Sequence, residues 1–332
     1  MVTIYPTCAV EMNRKNSHFF EALSELTRLR IIPFSSARGA LVYGLRALGV
    51  ERMDEILVPP FLAHCVTSAL GRTAFPTMTP SRRTRAILVF HQFGYPQRIE
   101  HIEKVAFENE WFIVNDCAHA MLSGYRGKMV LNWGDFAALS FSKFYPCNLG
   151  GGLVVRSSKI QKSIEDNFEE LKTKHAKLAN RAYEILLRAR ENLSEIQEQF
   201  EIDAVYGYLP ELVACPSQVL AFLPDTIQEI QQDANRRRDL FKFVQACFPD
   251  RVPDATDCDV VPFAIPVAGE ASQLEWASLE IKKRLGIEAP VLHFDFSRNM
   301  LRPDYRKSLV IGCHGEWTEE WVTAICEILN EE

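Results

Sequence analysis

The residues of this chain best suited to chemistry are an acid and an amine, each at the end of a short apolar run. Asp116 comes after W-F-I-V within V-N-D-C-A-H-A, and such runs are typical of buried parallel strands. Ala137-Ala138-Leu139 lead a second run, which delivers Ser140, Ser142 and Lys143, and N-L-G-G-G-L-V-V follows. The pattern reads strand, loop, strand, turn. Parallel sheets present their functional groups at the C-terminal ends of strands, so Asp116 and Lys143 are expected to face one crevice. An acid and an amine at opposite ends of a flat ring are what pyridoxal 5'-phosphate (PLP) needs. The amine forms a Schiff base, and the carboxylate keeps the pyridine nitrogen protonated.

The elements that must position these residues alternate along the first half of the chain. Ser35-Ser36-Ala37-Arg38-Gly39 precedes A-L-V-Y-G-L-R-A-L-G, where apolar residues recur at helical spacing and Gly49 marks a stop. E-I-L-V-P-P reads as a strand ended by prolines, V-T-S-A-L-G as a helix, R-A-I-L-V-F-H as a strand and I-E-H-I-E-K-V-A-F-E-N as a helix. This rhythm predicts an α/β domain with a largely parallel sheet. Residues from about 159 to 200 are charged and helix-prone, and are expected to form one or two bridging helices. Another helical run is expected from about 225 to 247. The expected division is a large domain over 1–224, helical bridge included, and a smaller C-terminal domain over 225–332.

Composition narrows the classes. With 332 residues, 47% hydrophobic and 24% charged, the chain has the makeup of a soluble globular protein able to bury a substantial core. A net charge of −6 gives no global basic footprint for nucleic acid. Arg236-Arg237-Arg238 and Ser81-Arg82-Arg83 are local basic clusters, read as solvated surface. No window approaches the roughly 18 apolar residues of a membrane span, and the N-terminus lacks the pattern of a secretion signal. Nine cysteines without a C-x-x-C pair suit reduced thiols and a cytoplasmic location, with Cys117 and Cys147 as small packing residues. No metal site is expected.

Alone, Asp116 reads equally as a strand-end cap and Lys143 as a solvated loop lysine. Four motifs in order change that. S-S-A-R-G-A-L resembles S-S-G-T-A-A-L, I-L-V-P-P-F-L-A-H-C resembles V-I-V-P-S-F-T-F, and V-F-H-Q-F-G-Y-P resembles V-H-L-Y-G-Q-P. The fourth, N-D-C-A-H-A then G-D-F-A-A-L-S-F-S-K, is similar to E-D-A-A-H-A then G-D-A-A-x-F-S-F-H-A-T-K. These are the motifs of the DegT/StrS-type nucleotide-sugar aminotransferases, PLP enzymes of fold-type I. The resemblance covers about residues 30–156.

The resemblance implies a fold-type I PLP-transferase: a three-layer α/β/α large domain with a mostly parallel sheet, plus a smaller C-terminal α+β domain. It implies Asp116 at the pyridine nitrogen, Lys143 as the Schiff-base (internal aldimine) lysine, His119 near the phenolic oxygen and Ser140 at the phosphate. Ser36, Ala37 and Arg38 open a helix whose free N–H groups and dipole favour an anion. An aromatic from the second motif stacks on the ring in the family. Ala63 stands at that position, so either its neighbour Phe61 or His64 supplies the stacking face, or the contact is missing. His91 and Gly94 keep local structure. Two fewer residues separate Ser140 from Lys143 than in the common family form, a spacing read as a variant. An asparagine that reaches the partner's cofactor phosphate is absent, with Tyr206, Tyr208 or Ser217 as substitutes.

The activity so implied is transfer of an amino group from glutamate or glutamine to a keto-sugar, nucleotide-linked, within a homodimer with a shared site. Two other readings stand beside it: a PLP enzyme of the same fold that does not transaminate, and a non-catalytic regulatory or binding member. The dehydratases of this type carry histidine in place of the lysine, so Lys143 argues against that version.

Overall fold

The computed structural model describes residues 2–6, 18–191 and 196–331. Its centre is a seven-stranded sheet. In chain order the strands are β1 (Ile31–Phe34), β2 (Glu55–Leu57), β3 (Phe75–Thr77), β4 (Thr84–Phe90), β5 (Phe112–Asp116), then the short β6 (Gly124–Tyr125) and β7 (Lys128–Met129) outside the sheet, then β8 (Phe136–Ser140) and β9 (Gly151–Val155). The spatial order is β1-β9-β8-β5-β4-β2-β3. All neighbours from β8 to β3 run parallel, and β9 alone is antiparallel to both its partners.

Helices α1 (Phe19–Thr27), α2 (Ala37–Ala47), α3 (His64–Leu70) and α4 (Ile99–Glu108) alternate with the early strands. The strand side chains sort by period two. Phe136, Ala138 and Leu153 pack with Leu41 and Leu45 of α2 on one face. Ala137, Leu139 and Val154 pack with Phe19 and Leu23 of α1 on the other. Both faces are therefore buried, which is why these strands read as continuous apolar runs. Helix α2 starts where Ser36 caps it, its Oγ accepting from Gly39 N at 3.1 Å, and stops before Gly49 at φ 79°.

The charged stretch after β9 forms α5 (Ser158–Ser163), a π-helical turn over Ile164–Phe168, α6 (Glu169–Glu191) and, beyond residues 192–195, α7 (Ile196–Tyr208). Helix α8 (Ile227–Cys247) leads to β10 (Cys258–Asp259), β11 (Ala264–Ala268), α9 (Ala271–Leu285), β12 (Val291–Asp295), β13 (Tyr305–Gly312) and α10 (Glu319–Ile328). Strands β11-β13-β12 make a second, antiparallel sheet, and β10-β6-β7 a third. Among the described residues no helix is long and apolar enough to cross a membrane.

One sequence reading is corrected here. Arg237, read as part of a solvated basic cluster, is fully buried. Its Nε donates to Asp233 at 2.7 Å, Nη1 to the Pro262 carbonyl at 3.3 Å and Nη2 to the Phe144 carbonyl at 3.0 Å. Its neighbour Arg236 is also engaged, donating to the Cys313 and His314 carbonyls at 2.8 and 3.2 Å. A three-arginine run looks like surface until the helix is docked, because helical spacing turns one of the three inward.

Candidate active site

The candidate site lies at the C-terminal ends of β5 and β8. Their parallel ladder pairs Asp116 with Ala138, so Asp116 ends its strand two residues before Ser140 ends the next. A 3₁₀ turn over Phe141–Lys143 then carries the lysine back across the strand ends. The polypeptide returns through Gly150, whose N–H donates to the Ser35 carbonyl at 2.7 Å and whose carbonyl accepts from Phe141 N at 3.0 Å. Gly151 lies directly against the start of α2: a Cβ there would stand 2.5 Å from Ala37 N and 2.6 Å from the Leu139 carbonyl. The helix N-terminus, Ser140 and the Lys143 turn are thus stitched together by backbone contacts that only glycine permits.

Asp116 is 2% exposed, and its Oδ1 accepts from Ala118 N at 3.0 Å. Burial pushes its carboxyl up to about 6, against the pull of that bond and of the Lys143 charge. Lys143 moves the other way. Burial lowers its amine to about 8; the nearby Arg38 lowers it further, while Cys65 and Asp116 hold it up. Desolvation disfavours the charged form of both groups and therefore shifts acid and base toward each other. Arg38 lies with its guanidinium 5.0 Å over the Tyr206 ring and is lowered by burial.

His119 sits inside a ring stack. Phe263 is parallel to it at 4.3 Å and Phe93 at 5.9 Å. Its Nδ1 accepts from Phe93 N at 3.3 Å, so in the neutral ring the proton is on Nε2. Burial and the Lys143 charge keep its pKa well below the usual histidine range. Ser36 Oγ spends its acceptor on the helix cap and retains its own O–H, and Ser140 Oγ lies 3.4 Å from Ser142 Oγ.

The other expected residues make contacts of their own, and His91 N donates to the Asp116 carbonyl at 3.3 Å. Phe61, at φ 57°, stacks on His293 at 4.2 Å and meets Tyr305 edge-on at 4.9 Å. His64 is exposed as the first residue of α3. His91 is buried, with Nδ1 accepting from Gln97 N at 3.1 Å, and burial lowers it to about 4. Cys117 and Cys147 are both buried, with the Cys117 thiol raised by burial. Residues that sequence reasoning did not single out are Tyr5, whose ring centre is 4.0 Å from Lys143 Nζ, and Phe263, at 5.9 Å. Neither belongs to a motif, and both reach the site from segments remote in sequence.

Whether PLP suits these residues can be judged on Asp116. A carboxyl buried to this degree and raised to about 6 lacks a close counter-charge. A protonated pyridine nitrogen would be that counter-charge. The start of α2 offers unbonded N–H groups and the Ser36 hydroxyl to a phosphate. The donor set fits the group.

Comparison with known proteins agrees with the motifs. Residues 78–200 match the model of the DegT/DnrJ/EryC1/StrS aminotransferase family. That span includes Asp116, His119, Ser140 and Lys143, and leaves the motifs at Ser36 and Phe61 outside it. GDP-perosamine synthase of Escherichia coli O157:H7 is 31% identical over 144 residues, covering 38% of this chain and 40% of that protein. The L-glutamine:scyllo-inosose aminotransferase of Streptomyces griseus is 29% identical, covering 39% of this chain and 35% of that protein. The dTDP-3-amino-3,4,6-trideoxy-alpha-D-glucose transaminase of Streptomyces venezuelae is 32% identical, covering 36% and 37%. The chain thus spans about two fifths of the length of the curated relatives it matches. Among solved structures, a putative sugar aminotransferase from Streptococcus pneumoniae in its PMP form superposes with a TM-score of 0.68 at 15% identity, covering 98% of this chain and 92% of that one. DesV of S. venezuelae superposes at 0.62 with 19% identity, covering 94% and 87%. The fold is that of the fold-type I PLP aminotransferases.

Proposed function

We propose that this protein is a PLP-dependent aminotransferase that moves an amino group from glutamate or glutamine to a keto-sugar, nucleotide-linked, in a homodimer. The observation that carries the reading is the buried acid and partly buried amine brought together at the C-terminal ends of adjacent parallel strands, each shifted toward neutrality. When bound, PLP supplies an aldehyde that condenses with primary amines and a ring that accepts electrons.

The chain's own residues would divide the work as follows. Ser36, Ala37, Arg38 and Ser140 take the phosphate. Asp116 holds the proton on the ring nitrogen. Lys143 would hold the cofactor through Nζ and, with its amine free, would take the proton from the donor's α-carbon. An amine near 8 is well suited to this, because a useful fraction is unprotonated at neutral pH. His119, neutral with its proton on Nε2, would serve as a donor near the cofactor's phenolic oxygen. The sugar relatives support the acceptor class, and the name of the S. griseus relative supports a glutamine donor.

Purified protein supplied with PLP should absorb in the near-visible, and Lys143→Ala should not. Adding glutamate should bleach that band and release 2-oxoglutarate. A protein that takes up no PLP refutes the reading. One that binds PLP but yields no 2-oxoglutarate or glutamine-derived keto acid is instead a non-transaminating member.

A further inference from the structure

The second motif leaves a gap. Where the resembled family has a stacking aromatic, this chain has Ala63, which carries no ring. Of the neighbouring rings, Phe61 has one face against His293, and His64 is exposed at the start of α3. His119 is stacked with Phe263 at 4.3 Å and with Phe93 at 5.9 Å. Phe263 in turn is 1% exposed, packed between His119 and Tyr5.

Tyr5 is set apart by its place against the lysine amine. Its ring centre is 4.0 Å from Lys143 Nζ, the atom that would join the cofactor, and it leans on Phe263 at 5.4 Å. It remains 42% exposed, so part of the ring is uncovered. Its hydroxyl is raised by burial and by the nearby Cys65, two residues beyond Ala63. Tyr5 therefore lies against the atom that would join the cofactor ring.

The segment carrying Tyr5 is pinned by the connections that lead into β12 and out of β13. Val2 bridges Ile287, and its carbonyl accepts from Glu288 N at 2.8 Å. The Thr3 carbonyl accepts from Trp317 Nε1 at 3.0 Å and from His314 Nε2 at 2.8 Å. Two ring donors on one carbonyl, two residues away, set where Tyr5 stands without using Tyr5 itself.

We infer that Tyr5 supplies the aromatic face for the cofactor ring, in the place that Ala63 leaves without one. This rests on the reading that the protein binds PLP.

The test is a titration of cofactor-free protein with PLP for wild type, Tyr5→Phe and Tyr5→Leu, reading the dissociation constant and the near-visible circular dichroism of the bound cofactor. An aromatic stack is worth roughly a 3- to 10-fold change in affinity. Tyr5→Leu should weaken binding by about that factor and diminish or reshape the dichroic band. Tyr5→Phe should stay within about twofold of wild type with an unchanged band. Equal affinity and dichroism in Tyr5→Leu overturn the inference, as does a Tyr5→Phe as impaired as Tyr5→Leu, which would assign the effect to the hydroxyl. Wild-type protein that binds no PLP overturns the functional reading at the first titration, before any variant is compared.

Discussion

Arg237 reaches from α8 to the carbonyl of Phe144, 3.0 Å away, so a buried charge holds the residue that follows Lys143. The same guanidinium bonds the carbonyl of Pro262, which precedes the ring lying against His119. One side chain thus spans the lysine turn and the aromatic wall opposite it. Asp233 supplies the counter-charge, 22% exposed against 1% for the arginine. Arg237→Met should cost about 1–3 kcal/mol, since it leaves two buried carbonyls without their donor while Asp233 keeps its pair with Arg236 at 2.7 Å. Urea denaturation would check this, and a loss below about 1 kcal/mol would show the contact to be incidental.

Lys143 should titrate near pH 8 in the cofactor-free protein, because burial lowers it from the usual lysine value. The rate at which it reacts with trinitrobenzenesulfonate, followed site by site with mass spectrometry, should have its midpoint there. Asp116→Asn removes an attraction for the ammonium and should move that midpoint down. Arg38→Met removes a repulsion and should move it up. Shifts of the opposite sign would mean that these charges do not share the site.

Asp116 makes stability depend on pH in a defined direction. Its folded value of about 6 is raised above the ordinary 3.8, so its contribution is full below about pH 4 and is lost as pH rises through 6. Two units correspond to about 3 kcal/mol as an order of magnitude. Cofactor-free Asp116→Asn should therefore be more stable than wild type at pH 7.5, with the advantage vanishing near pH 4. Thermal unfolding at the two pH values measures it, and saturating PLP should narrow the difference at pH 7.5 by supplying the counter-charge.

Gly151→Ala should fail at the contact between β9 and α2. Its Cβ would meet backbone on every side, at Ser36, Ala37 and Leu139, and none of these can swing aside as a side chain would. A loss of about 1–3 kcal/mol is expected, with weaker binding of PLP or inorganic phosphate as α2 is pushed away. Calorimetry of phosphate binding beside thermal unfolding would separate the two effects.

Ser36→Ala removes the cap of α2 and should cost about 1 kcal/mol, while Ser36→Gly should cost only a few tenths. A larger loss in phosphate affinity than in stability would show that the hydroxyl serves the anion as well as the helix.

What could be read from the residues alone was local. The strand ending at Asp116, the strand ending at Ser140, the Ser36 helix start and the Gly49 stop all depend on residues within a few positions of one another, and the structure has each in place. The parallel order followed as well, because alternating strand and helix signals leave few ways to bury both faces of a sheet. The environment of the lysine was of another kind. Tyr5, Phe263 and Arg237 reach it from three distant segments, and Phe61 is drawn away by His293. Such contacts depend on how remote segments cross, and no periodicity or cap near those residues records a crossing. Burial also sets the charges: Asp116 near 6 and Lys143 near 8 arise from desolvation, a property of everything packed around them. The motif order therefore carried the chemistry's parts, and tertiary packing alone decided their protonation and their walls.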